Sequence, residues 1–570
     1  MYFGHDADHG SYYLGTEPPS STTYRKWLVD NDPHLIGCDV ETISLKERIA
    51  IGIGIAPSPN AAFYFVLFPG ESSVMPWKLL KDPQVTKVWH NAIFDLDVLA
   101  SEYEVDQNAQ DTAIMSRLLG TQYNSLIDLT WRHKMEVHEV SEILKEHKVK
   151  KMTDLAEEVV ARKCMQDAMA TLRLYPELLP ELIGEYGSTE YYDIERATIP
   201  IMIRMSARGV LLDHEVREQI EGYLMDEVDR LYDLCQDIEM FNPGSPQQVS
   251  YILAKRGAYS VFTRLPFTKD KYGRRTKNLS SAEAILEQMD DPLAEIVLDY
   301  RRKRKLLGTY IQPWANSERA YTKFHLDAIT GRPSSTSGGN TAEFRNMQNI
   351  PGAKSRLGIN CRGCLVPDSG TWTDMDFSQV ELRALAYLSQ DKAMLKIFDE
   401  DGDIHQIGAD FMGIVRKTAK NVNFAMIYGG GDDVLRETAH IRSRDRARQL
   451  REMWFELFPQ AGDYIQSVNE QVERGLSFVK TVFGRKMRLP SEDEENVSGR
   501  QRKAIDYPCQ GTAADILKRS LLLTKDMDVA LQVHDELLVD GLETPDKFEA
   551  LEHIAPFRTP VEVKYYERWE

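Results

Sequence analysis

The chain has 570 residues, 42% of them hydrophobic and 28% charged, which is the composition of folded domains and too long for one hydrophobic core. Lys and Arg number 69 against 88 Asp and Glu; the resulting charge of −19 argues by itself against a nucleic-acid partner, although an acidic protein can still carry a locally basic cleft. No apolar run is long enough for a bilayer, the opening MYFGHDADHG is no secretory signal, and six dispersed cysteines are no disulfide framework, so a cytoplasmic protein with no membrane partner is expected.

Residues 35–68 predict a strand meander (LIGCDVE, RIAIGIGIA, AAFYFVLF), and VTKVWH at 85–90 a further strand before a helix from Ala92. A helical pattern over about 153–175 closes an α/β or α+β unit near Glu185. From 190 to 310 the pattern is mostly helical. The RRKRK run inside IVLDYRRKRKLLGTY (296–310) reads as a solvated helix face, and 259–281 as a mobile loop at the tip of a helix pair. Cys361 and Cys364 form a C-x-x-C with no second pair or histidines at zinc spacing, hence buried reduced thiols. A strand is expected at TWTDMDF, helices follow to about 475 and again over 500–525, SEDEENVSG (491–499) reads as an exposed acidic loop, and two strands flank VHDE.

Several segments carry candidate chemistry. In CDVET, Asp39 and Glu41 lie two apart on a strand and so share a face; HNAIFDLD adds Asn91 and Asp95, and VVARKCMQDAMATL adds Asp167. Two metal ions held by Asp39, Glu41, Asp95 and Asp167 can activate water against a phosphodiester, with Asp97 read as an exposed neighbour of Asp95. Asp376 of DFSQVELR ends a strand where a helix begins, and Asp535 and Glu536 sit at a hairpin turn in QVHDELLV. Nucleotidyl transfer needs two divalent ions about 3.5–4 Å apart, which Asp376 and Asp535 can hold if their strands adjoin. In RKTAKNVNFAMIYGG (416–430), Arg416, Lys420, Phe424 and Tyr428 recur every fourth residue. On a helix they form one stripe about 18 Å long, with cations at the phosphate-favouring N-terminal end and aromatics beyond. TGRPSS (330–335) and NMQNIP (346–351) offer Arg332 and Asn349 for phosphate and minor-groove contacts.

These segments, with TVFGRKMRLP (481–490), RKAIDYPCQGTAAD (502–515), YYDIERATIPIMIRMSARGVLLD (191–213) and FNPGSPQQV (241–249), resemble in content and order the family A DNA polymerases, the group of bacterial DNA polymerase I and several phage replicases. The resemblance covers nearly the whole chain. It implies an RNase H-like 3′→5′ exonuclease domain of the DEDD type over 1–185 and a right-hand polymerase domain over 186–570. The thumb is expected over 200–310, the palm over 312–390 and 470–570, and the fingers over 391–469.

The resemblance also assigns roles. Asp376 and Asp535 hold two Mg²⁺, for which Mn²⁺ can substitute, with Glu536 nearby; Arg416 and Lys420 bind the triphosphate, and Lys420 protonates the leaving pyrophosphate. Glu381 blocks a ribose 2′-OH, Phe424 faces the 3′ side of the sugar and disfavours dideoxynucleotides, and Tyr428 packs near the template base. Gln379 and His534 line the dNTP and primer-end site. Arg332, Asn349, Arg362, Arg502 and Gln510 contact primer–template DNA. Two positions depart from the family: Asp506 stands where Asn is usual, and Lys163 where the exonuclease usually has Tyr four residues before its last Asp. An active but slower exonuclease is the expectation. The lack of a preceding 5′-nuclease domain and of a long insertion in 200–310 makes a monomeric phage replicase the expected type. Its replisome partners, such as a helicase, are left open by the sequence.

Overall fold

A computed structural model describes residues 34–570 apart from 45–47, 68–76, 101–104, 107, 122–123, 133–136, 263–264, 270–273, 337–343, 353–357 and 442, and before residue 34 only the strands Tyr2–Asp6 and Tyr12–Leu14. The expected meander forms as Leu35–Thr42, Ala50–Ser58 and Ala61–Val66, all strongly buried, because their β-branched and aromatic runs are covered on both faces. They belong to a seven-stranded mixed sheet. Tyr12–Leu14, Tyr2–Asp6 and the meander pair antiparallel, and Thr86–Trp89 and Ala109–Asp111 extend it in parallel beyond Leu35–Thr42.

The helix Glu157–Tyr186 lies across this sheet, burying Ala161, Cys164, Ala168 and Met169 beside Ala56, Ala62, Tyr64 and Val88. Two glycines set its distance. A Cβ on Gly37 would stand 2.1 Å from the Ala168 carbonyl oxygen, and one on Gly54 2.7 Å from that of Cys164. The helix runs eleven residues beyond its expected end at 175, through Pro176 and Pro180 to Gly187 (φ 74°). Each interior proline costs about 3 kcal/mol. Both lie on the exposed face, while Leu174, Leu178 and Leu182 are buried at four-residue spacing, each contributing about 1.5–3 kcal/mol.

Residues 199–306 form helices Ile199–Arg208, His214–Ile238, Pro246–Lys255 and Pro292–Leu306; a separate small core gathers Cys235, Phe241, Val249, Leu253, Leu293 and Val297. Two expectations fail here. The RRKRK run is not a solvated face: Lys303 is buried between Glu227 (2.6 Å) and Asp299 (2.9 Å), Arg302 pairs with Glu283, and Arg301 donates to the carbonyls of Pro243 and Ser281. Only Arg304 and Lys305 are exposed. The run thereby ties Pro292–Leu306 to His214–Ile238 through Glu227, and to Glu283 and the Pro243 and Ser281 carbonyls. Within 259–281 the chain forms a hairpin of Phe267–Lys269 with Arg275–Leu279, rather than a loop throughout; its tip, 270–273, lies outside the described residues.

The last third is built on an antiparallel four-stranded sheet in the order Val529–Val533, Glu536–Asp540, Trp372–Phe377, Val561–Tyr566. The final strand, unanticipated from sequence, makes the Asp376 strand central. A second core of Leu385, Phe398, Val422, Met426, Leu450, Trp454 and Phe458 binds the helices between 380 and 473, and Val497–Leu523 connects them to the sheet. Residues 491–496 form a largely exposed acidic turn whose Asn496 caps that helix, and 497–499 are the helix's first turn. All six cysteines are free and buried, and burial pushes the Cys361 and Cys364 thiols up to about 12.

Two candidate active sites

The first site lies at the ends of the four-stranded sheet. Asp376 sits opposite Glu536 in the strand register, and the backbone N–H of the next residue, Phe377, donates to the Asp535 carbonyl oxygen at 3.2 Å. The two strands therefore adjoin, and residues 376 and 535 lie side by side. Val533 and Glu536 pair across a two-residue turn in which exposed His534 takes the left-handed region (φ 56°), held by a hydrogen bond from Gln532 Nε2 to its carbonyl at 2.7 Å. Burial and the charges of Asp535 and Glu536 push the Asp376 carboxyl up to about 7. Asp374, missed at the sequence level although it stands two residues before Asp376 on the same strand face, is pushed to about 8 by burial, Glu536 and Asp376. Its Oδ1 is buried and unpartnered.

Glu536 differs from its neighbours. Its carboxylate accepts from Trp569 Nε1 at 2.7 Å and pairs with Arg362 at 3.5 Å, and Arg362 itself lies 4.0 Å over the Trp569 ring while donating to the Ile350 carbonyl. Asp374, Asp376 and Asp535 are hard oxygen donors of the kind Mg²⁺ takes, and Lys564, across the strand from Asp374, offsets only part of the charge on Asp374 and Asp376.

The expected stripe forms on the helix Arg416–Ile427, whose other face buries Ala419, Val422, Asn423 and Met426. Lys420 Nζ stands 5.7 Å from the Phe424 ring, and Phe424 stacks on Tyr428 with centroids 6.2 Å apart. Arg416 pairs with Asp403 at 2.6 Å. Asn423 anchors the buried face, accepting from Trp454 Nε1 (2.9 Å) and contacting His405 (2.8 Å). Gly429 (φ 62°) ends the stripe against Val497–Leu523, where a Cβ would stand 2.9 Å from Arg502 Cα.

Beyond the aromatic end, Glu381, Arg332, Tyr428, Asp506 and Gln510 form one polar group. Tyr428 donates to Glu381, Arg332 pairs with Glu381 at 3.5 Å, and Gln510 bonds Asp506. Burial and Glu381 push Asp506 up to about 7, and Arg332 acts against them as a countercharge. Glu381 is buried, and Gln379 begins its helix in the left-handed region (φ 54°) with a buried, unpartnered Oε1. Asn349 is exposed, its carbonyl accepting from Tyr310.

The second site lies where Leu35–Thr42 meets Glu157–Tyr186. Asp39, Glu41 and Cys164 have ligand atoms within 4.8 Å of one another. Asp95 Oδ1 accepts from the Val40 backbone N–H at 3.0 Å. Lys163 Nζ bridges Glu41 Oε1 and Asp167 Oδ2 at 2.7 Å each. Burial pushes all four carboxyls up. Burial pulls the Lys163 ammonium down, but Asp167, Glu41 and Asp39 outweigh it and hold it well above the ordinary lysine value. One ammonium cannot balance four carboxylates. Asp39 Oδ2 and Asp167 Oδ1 stay buried without a partner, so the set fits a cation, with Lys163 already holding part of the space. Asp97 corrects an expectation: it is buried, not exposed, between Arg48 (3.1 Å) and Lys323 (2.8 Å).

Comparison with known proteins fits both sites. Residues 213–555 match the model of DNA polymerase family A, and 29–183 match that of a 3′-5′ exonuclease. The chain belongs to DNA polymerase family A, with an exonuclease domain ahead of the polymerase domain. It is 29% identical to DNA polymerase I of Pseudomonas aeruginosa over 91% of this chain and 60% of that protein, and 30% identical to DNA polymerase I of Chloroflexus aurantiacus over 89% and 57%. The chain thus spans about half to three fifths of the length of the curated relatives it matches. A solved structure of the POL domain of Pol1 from M. smegmatis, in complex with DNA primer-template and dNTP, shares the fold with a TM-score of 0.75 at 23% identity, covering 95% of this chain and 97% of that one.

Proposed function

We propose that the chain is a DNA-template-directed DNA polymerase that adds dNTPs to a primer 3′-OH and removes mispaired ends with a 3′→5′ exonuclease. The observation that carries the reading is the meeting of Asp376 and Asp535 at the ends of adjacent strands, with Tyr428, at the aromatic end of the stripe, within reach of the Glu381 and Asp535 charges. Residues 200–310 act as thumb, 312–390 and 470–570 as palm, and 391–469 as fingers; 1–185 is the exonuclease unit. The separate small core of residues 235–298 supports the thumb as a distinct part.

Asp376 and Asp535 hold the divalent ions, and Asp374 adds charge behind them. Bound there, two Mg²⁺ would stabilise charge on the attacking and leaving oxygens. The chain contributes mostly position and fixed charge. Arg416 and Lys420 meet the triphosphate, and Lys420 Nζ supplies a proton to the departing pyrophosphate. Phe424 covers the sugar, and Glu381, fixed by Tyr428 and Arg332, closes the space a 2′-OH needs. Gln379 and His534 face the nucleotide and primer end. Arg332, Asn349, Arg502 and Gln510 meet the duplex, and Arg362 acts chiefly by holding Glu536. Asp39, Glu41, Asp95 and Asp167 form the second, hydrolytic centre. A replicative role in a phage is the finer reading and rests on the short 200–310 segment; the relatives compared above are bacterial.

Asp376→Ala tests the assignment. Extension of a labelled primer is expected to fall by at least about 10³-fold while shortening of the same primer persists. Extension at the unsubstituted rate would overturn the metal-site reading.

A further inference from the structure

The second centre carries a cation of its own. Lys163 Nζ lies 2.7 Å from both Glu41 Oε1 and Asp167 Oδ2, between the strand and the helix that supply the carboxylates. Lys163, Glu41, Asp95 and Asp167 are all more than nine-tenths buried. The ammonium is therefore not a solvated surface charge that happens to touch an acid. The backbone around it is clamped, since Gly37 and Gly54 let the helix rest directly on the sheet at Ala168 and Cys164, on either side of Asp167. Cys164, next in sequence to Lys163, is fixed too, its Sγ contacting the Asp39 carbonyl oxygen at 3.3 Å.

Charge defines what this does. Four carboxylates carry −4, which two divalent ions would neutralise. With Lys163 charged the protein side is −3, so one divalent ion leaves −1 and a second overshoots to +1. The bridged oxygens, Glu41 Oε1 and Asp167 Oδ2, are committed to the ammonium, while the unpartnered Asp39 Oδ2 and Asp167 Oδ1 remain for an ion.

We propose that the Lys163 ammonium is a built-in cation of the exonuclease centre, standing in for one of two divalent ions, so that this centre binds a single metal ion while Lys163 is in place. The inference rests on the reading of residues 1–185 as an exonuclease and supplies a physical reason for the slower cleavage expected from the sequence. With one ion and a fixed ammonium, the centre can hold a primer end by its phosphates, but the side chain must swing aside before a second ion enters.

The test counts ions, independently of activity. Asp374→Asn, Asp376→Asn and Asp535→Asn in the full chain remove the carboxylates assigned to the polymerase ions from the count. Mn²⁺ is then titrated by the EPR signal of the free ion, with and without Lys163→Tyr or Lys163→Gln. One Mn²⁺ is expected at the centre with Lys163, and two in either substituted chain, the first bound at least about tenfold tighter. Equal ion number and affinity in the chain that keeps Lys163 and in both the Lys163→Tyr and Lys163→Gln chains would overturn the proposal. Lys163→Gln removes the charge at similar length, so it carries the comparison if the bulkier tyrosine fails to fold. A second ion without any shortening of single-stranded DNA would support the cation role while refuting the exonuclease reading separately.

Discussion

Asp374 and Asp376 lie two residues apart on one strand face, with carboxyls pushed to about 8 and about 7. Both values exceed the unfolded carboxyl value of about 4, so between those limits the folded chain binds more protons than the unfolded one, and stability falls as pH rises. The metal-free protein is therefore expected to lose thermal stability from pH 5 to pH 8, and Mg²⁺ to restore more of it at pH 8; Asp374→Asn should flatten the profile. A metal-free melting temperature that rises over that range would contradict the charge crowding. At the nucleotide, Phe424→Tyr is expected to raise dideoxynucleotide incorporation at least about tenfold, and Glu381→Ala to raise ribonucleotide incorporation similarly, each read as a kcat/KM ratio against the matching dNTP. Asp376, Asp535 and the stripe were legible because strand ends and a four-residue period fix direction without any long-range knowledge. Asp97 was not: its burial depends on Lys323, more than two hundred residues away, which no local pattern encodes.

Among the elements, the helix Glu157–Tyr186 and the strand Val561–Tyr566 were the least legible. The helix carries two prolines whose cost is offset only by its buried leucines, and the strand's alternation of Val and Tyr with Glu and Lys gains meaning only beside Trp372–Phe377. The helix Glu190–Ala197 shows how elements are joined. Its Glu195 is buried with Arg485 and Lys518, and Arg485 also meets Asp515 at 2.8 Å. Burial pushes Glu195 up, but Arg485 and Lys518 outweigh it and hold it at about 2. Glu195→Gln would leave Lys518 a buried, poorly paired cation. A loss of about 3–5 kcal/mol is expected from urea unfolding followed by tryptophan fluorescence, with the polymerase side chains untouched. An unchanged midpoint would mean that the network contributes nothing to joining the helix Glu190–Ala197 to Val497–Leu523.

For the molecule as a whole, the charge of −19 was a poor guide, because part of the negative charge is concentrated in two carboxylate centres while a cation, Arg332, stands beside one of them against Glu381 and His534. Arg332 and Arg502, the two cations assigned to the duplex, predict a primer–template affinity that falls at least about tenfold between 50 and 200 mM salt, measurable by fluorescence anisotropy. Domain order and family were readable because the motifs succeed one another along the chain; how the two units pack was not, since it is set by pairs such as Lys323–Asp97 and Lys486–Glu185. The most direct test gives the protein one labelled primer–template, Mg²⁺ and each dNTP separately. Lengthening by one residue only with the dNTP complementary to the template is predicted; no lengthening with any of the four, or addition indifferent to the template base, would contradict it.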